Sequence, residues 1–189
     1  MVYLLLIANV FVFLIMGAST GSFDWSARIL LDWGANLGQV SLHGQWWRLI
    51  TASYLHGGFQ HIVGNMVLLL IVGTLVSRKI GQIRFLVVYS ICGVAAQALS
   101  AAGHPDIVSV GASGAIAGIM GAACILATSD RCPEIDGKWL TQTLVLNALY
   151  SFAPNVDWLA HIGGFLAGLL CGTVLLIIPG AIEERYAAE

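Results

Sequence analysis

The chain has 189 residues, of which 58% are hydrophobic and only 10% charged, and its mean hydropathy is +0.87. Soluble domains average about 25% charged residues, so this chain lacks the polar surface to stay dissolved. A net charge of −2 and a pI near 6.2 leave no basic patch for nucleic acid, and an integral membrane protein remains.

Six apolar runs follow in chain order, at 2–16, 59–76, 83–101, 110–127, 139–152 and 158–178. A spanning helix takes about 20 residues, so six use roughly 120 and leave only connections. The expected architecture is an all-α bundle of six transmembrane helices, one membrane domain over residues 1–189. Gly17-Ala18-Ser19 after the first run loosely resembles a cleavage site, but no Lys or Arg precedes Arg28, as a secretory leader would require. The first run therefore reads as a span. The stretch 17–58 carries Phe23, Trp25, Trp33, Trp46 and Trp47 among Leu30, Leu31, Leu49 and Ile50. Amphipathic tryptophans favour the headgroup region, so this long first outer loop is expected to rest in the interface as short helices. Arg78-Lys79-Ile80-Gly81 separates the second run from the third, and Asp130-Arg131-Cys132-Pro133-Glu134 the fourth from the fifth. The fifth run is short and includes Thr141, Gln142, Thr143 and Asn147, which suits a helix packed against protein.

Six spans put both termini on one side. With that side cytoplasmic, the inner connections and tail hold Arg78, Lys79, Arg84, Arg131, Lys138 and Arg185, and the outer loops hold only Arg28 and Arg48. That asymmetry follows the positive-inside rule and predicts a multi-pass protein of a cell (inner) membrane. Cys92, Cys124 and Cys171 fall within spans and Cys132 in an inner loop, so no disulfide framework is expected.

Polar groups inside spans cost free energy and invite a functional reading. His61 and Asn65 lie four apart and share a helix face. Ser113 sits in Gly111-Ala112-Ser113-Gly114 and His161 in Ala160-His161-Ile162-Gly163-Gly164, both near the outer ends of their spans. Each alone has an ordinary explanation, as a hydrogen-bonded packing residue at a tight crossing. Together they fall at similar depth. Gly114 and Gly118 make one small-xxx-small step, Gly164, Gly168 and Gly172 make two, and His161 shares the face of the latter, so the fourth and sixth spans can approach closely. A serine hydroxyl becomes a nucleophile when a base about 3 Å away takes its proton, which His161 can do. An imidazole N–H and an Asn amide are suitable donors to an oxyanion.

These residues resemble the rhomboid intramembrane serine proteases. The matching positions are Trp47-Arg48, His56 with His61-x-x-x-Asn65, Gly111-x-Ser113-Gly114, and Ala160-His161-x-Gly163-Gly164-x-x-x-Gly168, in order from about Gln45 to Gly172. The resemblance implies a six-helix core with Ser113 as nucleophile and His161 as general base. It implies an oxyanion hole made by the Ser113 backbone N–H, His61 and Asn65, with His56 supporting the outer loop and the packing of the site. Arg48, Gly111 and Gly114 are further motif positions. The implied partners are membrane lipid and transmembrane protein substrates with helix-breaking small residues near the outer boundary. No cofactor is expected.

Two positions depart from the family pattern. Members commonly carry an aromatic residue four positions after the serine, stacked on the catalytic imidazole, where this chain has Ala117. His161 is then less firmly oriented unless a neighbour such as Met120 fills the gap. Many members also have Glu between two glycines at the end of the second span, where Ser77 stands between Gly73 and Gly81. Asp157, four residues before His161, reads with Asn155 as a helix-start residue rather than the third member of a triad. His43 and His104 fall in outer loops and are expected to be solvated, and no metal-ligand set accompanies them. The connection 153–158, with the fifth helix, is the expected gate for substrate and water. Two other classes stay open. A client-binding protein without activity is favoured only by Ala117, and a proton-relaying channel leaves Ser113 in its glycine setting unexplained.

Overall fold

The computed structural model describes residues 1–130, 132–153 and 156–182. Arg131, Asn155 and Arg185, used in the sequence argument, lie outside the described residues, as does Pro154 in the expected gate. Within them the regular structure is helical, apart from isolated bridges between Asp24 and Gly58 and between Asn36 and Ser109.

Helix α1 (Val2–Thr20) runs past residue 16. The Ser19 and Thr20 hydroxyls donate back to the Ile15 and Met16 carbonyls, so these polar residues continue the helix without an unsatisfied group. Gly21, at φ +70°, ends it in a left-handed cap. The following segment contains α2 (Ala27–Asp32), α3 (Gly38–Ser41), α4 (Arg48–Thr51) and a 3-10 turn at Ala52–Tyr54. Polar staples hold it in shape. Arg48 Nη1 donates to the Leu31 and Ala35 carbonyls at 2.7 and 2.9 Å, and its Nε donates to Gln45 at 2.6 Å. The buried Asn36 amide donates to the backbone and side-chain oxygens of Gln97. Trp25 is buried against Phe13, whereas Trp46 and Trp47 face outward.

One continuous rod follows, built from α5 (Phe59–Leu68), a π-helical segment (Leu69–Gly73) and α6 (Thr74–Ile80). It passes through Arg78 and Lys79 instead of stopping at 76, because cations suit the last turn of a helix and Lys79 pairs with Glu134 at 2.5 Å. Gly81, at φ +80°, is the break. The remaining helices are α7 (Gln82–Gly103), α8 (Ser113–Leu126), α9 (Gly137–Ser151) and α10 (Trp158–Ile177). By length and composition, α1, the Phe59–Ile80 rod, α7 and α10 are able to cross a membrane, and α8 is a shorter apolar helix.

The centre of the bundle is α8, buried at nearly every position. It pairs with α10 in a parallel register of constant offset, with Gly164 against the Gly114 carbonyl, Gly168 against that of Gly118 and Gly172 against that of Ala122. A methyl group on any of these three α10 glycines would overlap α8 backbone, so the two main chains touch directly. Helix α9 packs against protein along one narrow face, where Leu140 joins the central apolar cluster and Trp139 and Leu144 lie half-buried against it. Only Leu140 and Ser151 are buried along it. Thr141 and Thr143 need no neighbour, since they donate to the Gly137 and Trp139 carbonyls of their own helix.

Candidate active site

Gly111 begins the site. Its φ of +122° lies where a side chain is strained, and a Cβ there would stand 2.7 Å from His61 Nε2 and 3.6 Å from Ser113 Oγ. Its N–H donates to the Ala52 carbonyl at 2.9 Å, which anchors the turn. The chain then enters α8 at Ser113 rather than at 110. The first-turn N–H groups of a helix have no acceptor within it, so Ser113 stands among backbone donors.

The α8–α10 glycine seam carries His161 to this point. His161, buried in the first turn of α10, has Nε2 2.8 Å from Ser113 Oγ. Its Nδ1 lies 2.5 Å from Ser151 Oγ at the end of α9. Ser151 was not among the residues singled out by sequence. Its only local mark is that it stands next to the last residue of the short fifth run, and nothing in its spacing points to His161. Ala117 and Met120 are both buried in α8, and Met120 belongs to the central apolar cluster.

His61 faces Gly111 and Ser113. The Gly57 N–H donates to its Nδ1 at 3.2 Å, which leaves the ring hydrogen on Nε2, the atom pointed into the site. Asn65 stands one turn further along α5, buried, and one of its two amide hydrogens goes to the His61 carbonyl at 3.0 Å. Ser113, His161 and His61 are thus gathered around Gly111, while Asn65 is engaged with the helix that carries His61.

His56 lies just before α5 and packs edge-on against His61, with ring centroids 5.1 Å apart. Its ring nitrogens are shut off from solvent without a well-formed hydrogen bond. Burial first, then the neighbouring His61, push its imidazole down to about 3, and only the Tyr54 backbone acts in the other direction. His56 is therefore a neutral wedge behind His61.

Asp157 caps α10, accepting from the Ala160 N–H at 3.3 Å. Its carboxylate also takes the Ser100 hydroxyl and lies 3.3 Å from His104 Nδ1. Burial pushes this carboxyl up, but the hydrogen bonds, led by that from Ser100, outweigh it and hold it below its ordinary value. The carboxylate is committed to α7 and to the cap, while the His161 ring faces Ser113 and Ser151. His104 corrects the expectation of a solvated residue. It is partly buried between Asp157 and the edge of Trp158, because the capping carboxylate draws it in. His43 is exposed. Among the described residues, no group of three His, Cys, Asp or Glu could hold a metal ion.

The sequence profile of the Rhomboid domain matches residues 43–178, which include every residue named around Gly111. RHOMBOID-like protein 5 of Arabidopsis thaliana is 38% identical over 153 residues, covering 76% of this chain and 49% of that protein. Rhomboid protease GluP of Bacillus subtilis is 33% identical over 187 residues, covering 97% of this chain and 36% of that protein. RHOMBOID-like protein 4 of Arabidopsis thaliana is 37% identical over 166 residues, covering 80% of this chain and 40% of that protein. The chain spans half or less of the length of these relatives.

Proposed function

The chain belongs to the rhomboid family and is an integral multi-pass membrane protein; from that premise we propose that it is a serine endopeptidase that cuts other membrane proteins in or beside their transmembrane segments. The observation that carries the proposal is the 2.8 Å approach of His161 Nε2 to Ser113 Oγ across the α8–α10 seam. Ser113 attacks a substrate carbonyl while His161 takes its proton. The oxyanion accepts hydrogen bonds from the Ser113 backbone N–H, His61 Nε2–H and the Asn65 amide, whose second hydrogen remains to be offered. His161 then protonates the leaving amine, and water activated by the same imidazole resolves the acyl-enzyme. His56 and Arg48 act at a distance, one packed against His61 and the other tying the first outer loop together through Leu31 and Ala35.

A helical substrate hides its carbonyls in hydrogen bonds, so segments with Gly, Ala, Ser or Pro that unwind near the outer boundary are preferred. In the proposed topology, six helices cross the membrane, with α8 and α9 as the two short spans. Residues 1–189 form one domain, both termini are cytoplasmic in a cell (inner) membrane, and the site opens outward. Trp46 and Trp47, facing out of the first loop, sit at headgroup level.

The test is cleavage of a single-span reporter with a Gly/Ala-rich break near its outer boundary, by purified protein and by Ser113→Ala. Cutting by the first and a loss of about 10³-fold or more in the second is expected. A wild-type protein that neither cuts nor reacts with a fluorophosphonate at Ser113 would overturn the proposal and favour a client-binding protein.

A further inference from the structure

We infer that Ser151 is the positioning residue of the catalytic imidazole, and that it makes the dyad competent only while the end of α9 is seated. The inference rests on the dyad reading above. Ser151 Oγ carries a single hydrogen and lies 2.7 Å from the Asn147 carbonyl, one turn back in its own helix. A carbonyl only accepts, so that hydrogen is spent there. Toward His161 Nδ1, 2.5 Å away, the hydroxyl oxygen must then accept, which places the ring hydrogen on Nδ1. Nε2 is left bare, facing Ser113 Oγ at 2.8 Å, in the state a general base requires. Protons are thus aligned from Ser113 to His161, and from His161 through Ser151 to a backbone carbonyl.

Other groups that could do this are committed elsewhere. The Asp157 carboxylate is taken by Ser100, His104 and the α10 cap. Ala117 offers only a methyl group, and Met120 is part of the apolar core. On α9 itself, Ser151 is one of two buried residues of a helix that is exposed along most of its length. Its burial follows from the contact with His161. If the end of α9 moves away, the imidazole loses the partner that sets both its tautomer and its rotation. A substrate that displaces α9 must therefore leave the Ser151 end in place.

The test compares Ser151→Thr, which keeps the hydroxyl, with Ser151→Val, which has the same shape without it, in the full chain in detergent micelles. Nitrogen-15 spectra of histidine-labelled protein read the tautomer directly, with the His161 resonances assigned by a His161→Asn variant. Wild type and Ser151→Thr should show His161 protonated at Nδ1, and Ser151→Val a mixture of tautomers. On a flexible soluble peptide, kcat should fall about 10- to 100-fold in Ser151→Val with KM within about twofold, and stay near wild type in Ser151→Thr. An unchanged tautomer and kcat in Ser151→Val would overturn the inference. The expected tautomer change in Ser151→Val, found together with a wild-type protein that cuts nothing, would keep the Ser151 contact and remove the protease reading instead.

Discussion

The α8–α10 seam and the flank formed by α9 each give the same imidazole one of its partners, but they are built in opposite ways. In the seam, glycines on both helices let backbones touch, and no side chain lies between Ser113 and His161 that could repack. On the flank, a helix exposed along most of its length reaches the site through one hydroxyl. Close backbone contact sets a distance that tolerates no substitution. A lightly seated helix sets an orientation that can be undone, and under the proposed function it is the side on which opening the site costs less.

The largest expected effect breaks the seam. Gly164→Val would drive a side chain into the Gly114 carbonyl, and because the obstacle is backbone it cannot be relieved by a rotamer change. A loss of about 3 kcal/mol or more is expected, with loss of turnover, read by unfolding in mixed micelles and by reporter cleavage. On the flank, Leu140→Ala removes the one buried apolar side chain of α9 and should cost about 2–3 kcal/mol, the lower part of the core range. Activity should fall with it, since Ser151 sits on the same helix. Stability lost without a change in kcat would separate the two ends of α9.

Asp157 sharpens the seam at its outer end. Asp157→Asn keeps a capping oxygen but removes the charge that favours the α10 N-terminus and holds Ser100 and His104, at a cost of about 1 kcal/mol near neutral pH. The Asp157 carboxyl is held below its ordinary 3.8, so its contribution is complete above that value and is lost as the pH falls through the lower folded value. The variant should therefore lose less stability than wild type on acidification below about pH 4, measured as Tm against pH. The smallest effect at neutral pH belongs to His56→Phe, which keeps the ring against His61 and removes the buried nitrogens. Unfolded His56 takes a proton near 6.5, whereas the folded residue does so only at about 3. Between those values the unfolded state binds more protons, so stability present above pH 6.5 drains away as the pH falls. The Phe variant should show a shallower decline across that window, and an identical slope would mean that His56 is solvated.

The glycine ladders of α8 and α10 were legible because a helix repeats its face every three to four residues, and His161 shares the face of the α10 ladder while Ser113 is next to Gly114 in sequence. His61 and Asn65 were legible on one face of one helix, yet only the fold turns His61 Nε2 toward Ser113 and engages the Asn65 amide with the His61 carbonyl. The ends of α1 and α6 were misjudged because hydropathy stops where polarity begins, whereas helices stop where hydrogen bonds and glycine turns stop them. Ser19 and Thr20 satisfy themselves within the helix, and Lys79 meets Glu134. His104 reads as solvated because its partner Asp157 is far away in sequence.

By itself, the sequence determined the membrane character of this protein, its family, the approximate position of its helices and the residues able to act as nucleophile, base and oxyanion donor. The membrane character and the helix positions depend on composition and local periodicity, and the family and the candidate roles on a resemblance carried by short motifs in fixed order, all of which a chain carries whether or not it is folded. The tertiary structure alone decided which nitrogen of His161 faces Ser113, that Ser151 holds the other, and that Asp157 is occupied with Ser100 and His104. Those assignments depend on hydrogen bonds between helices distant in sequence, whose geometry exists only once α7, α8, α9 and α10 are packed.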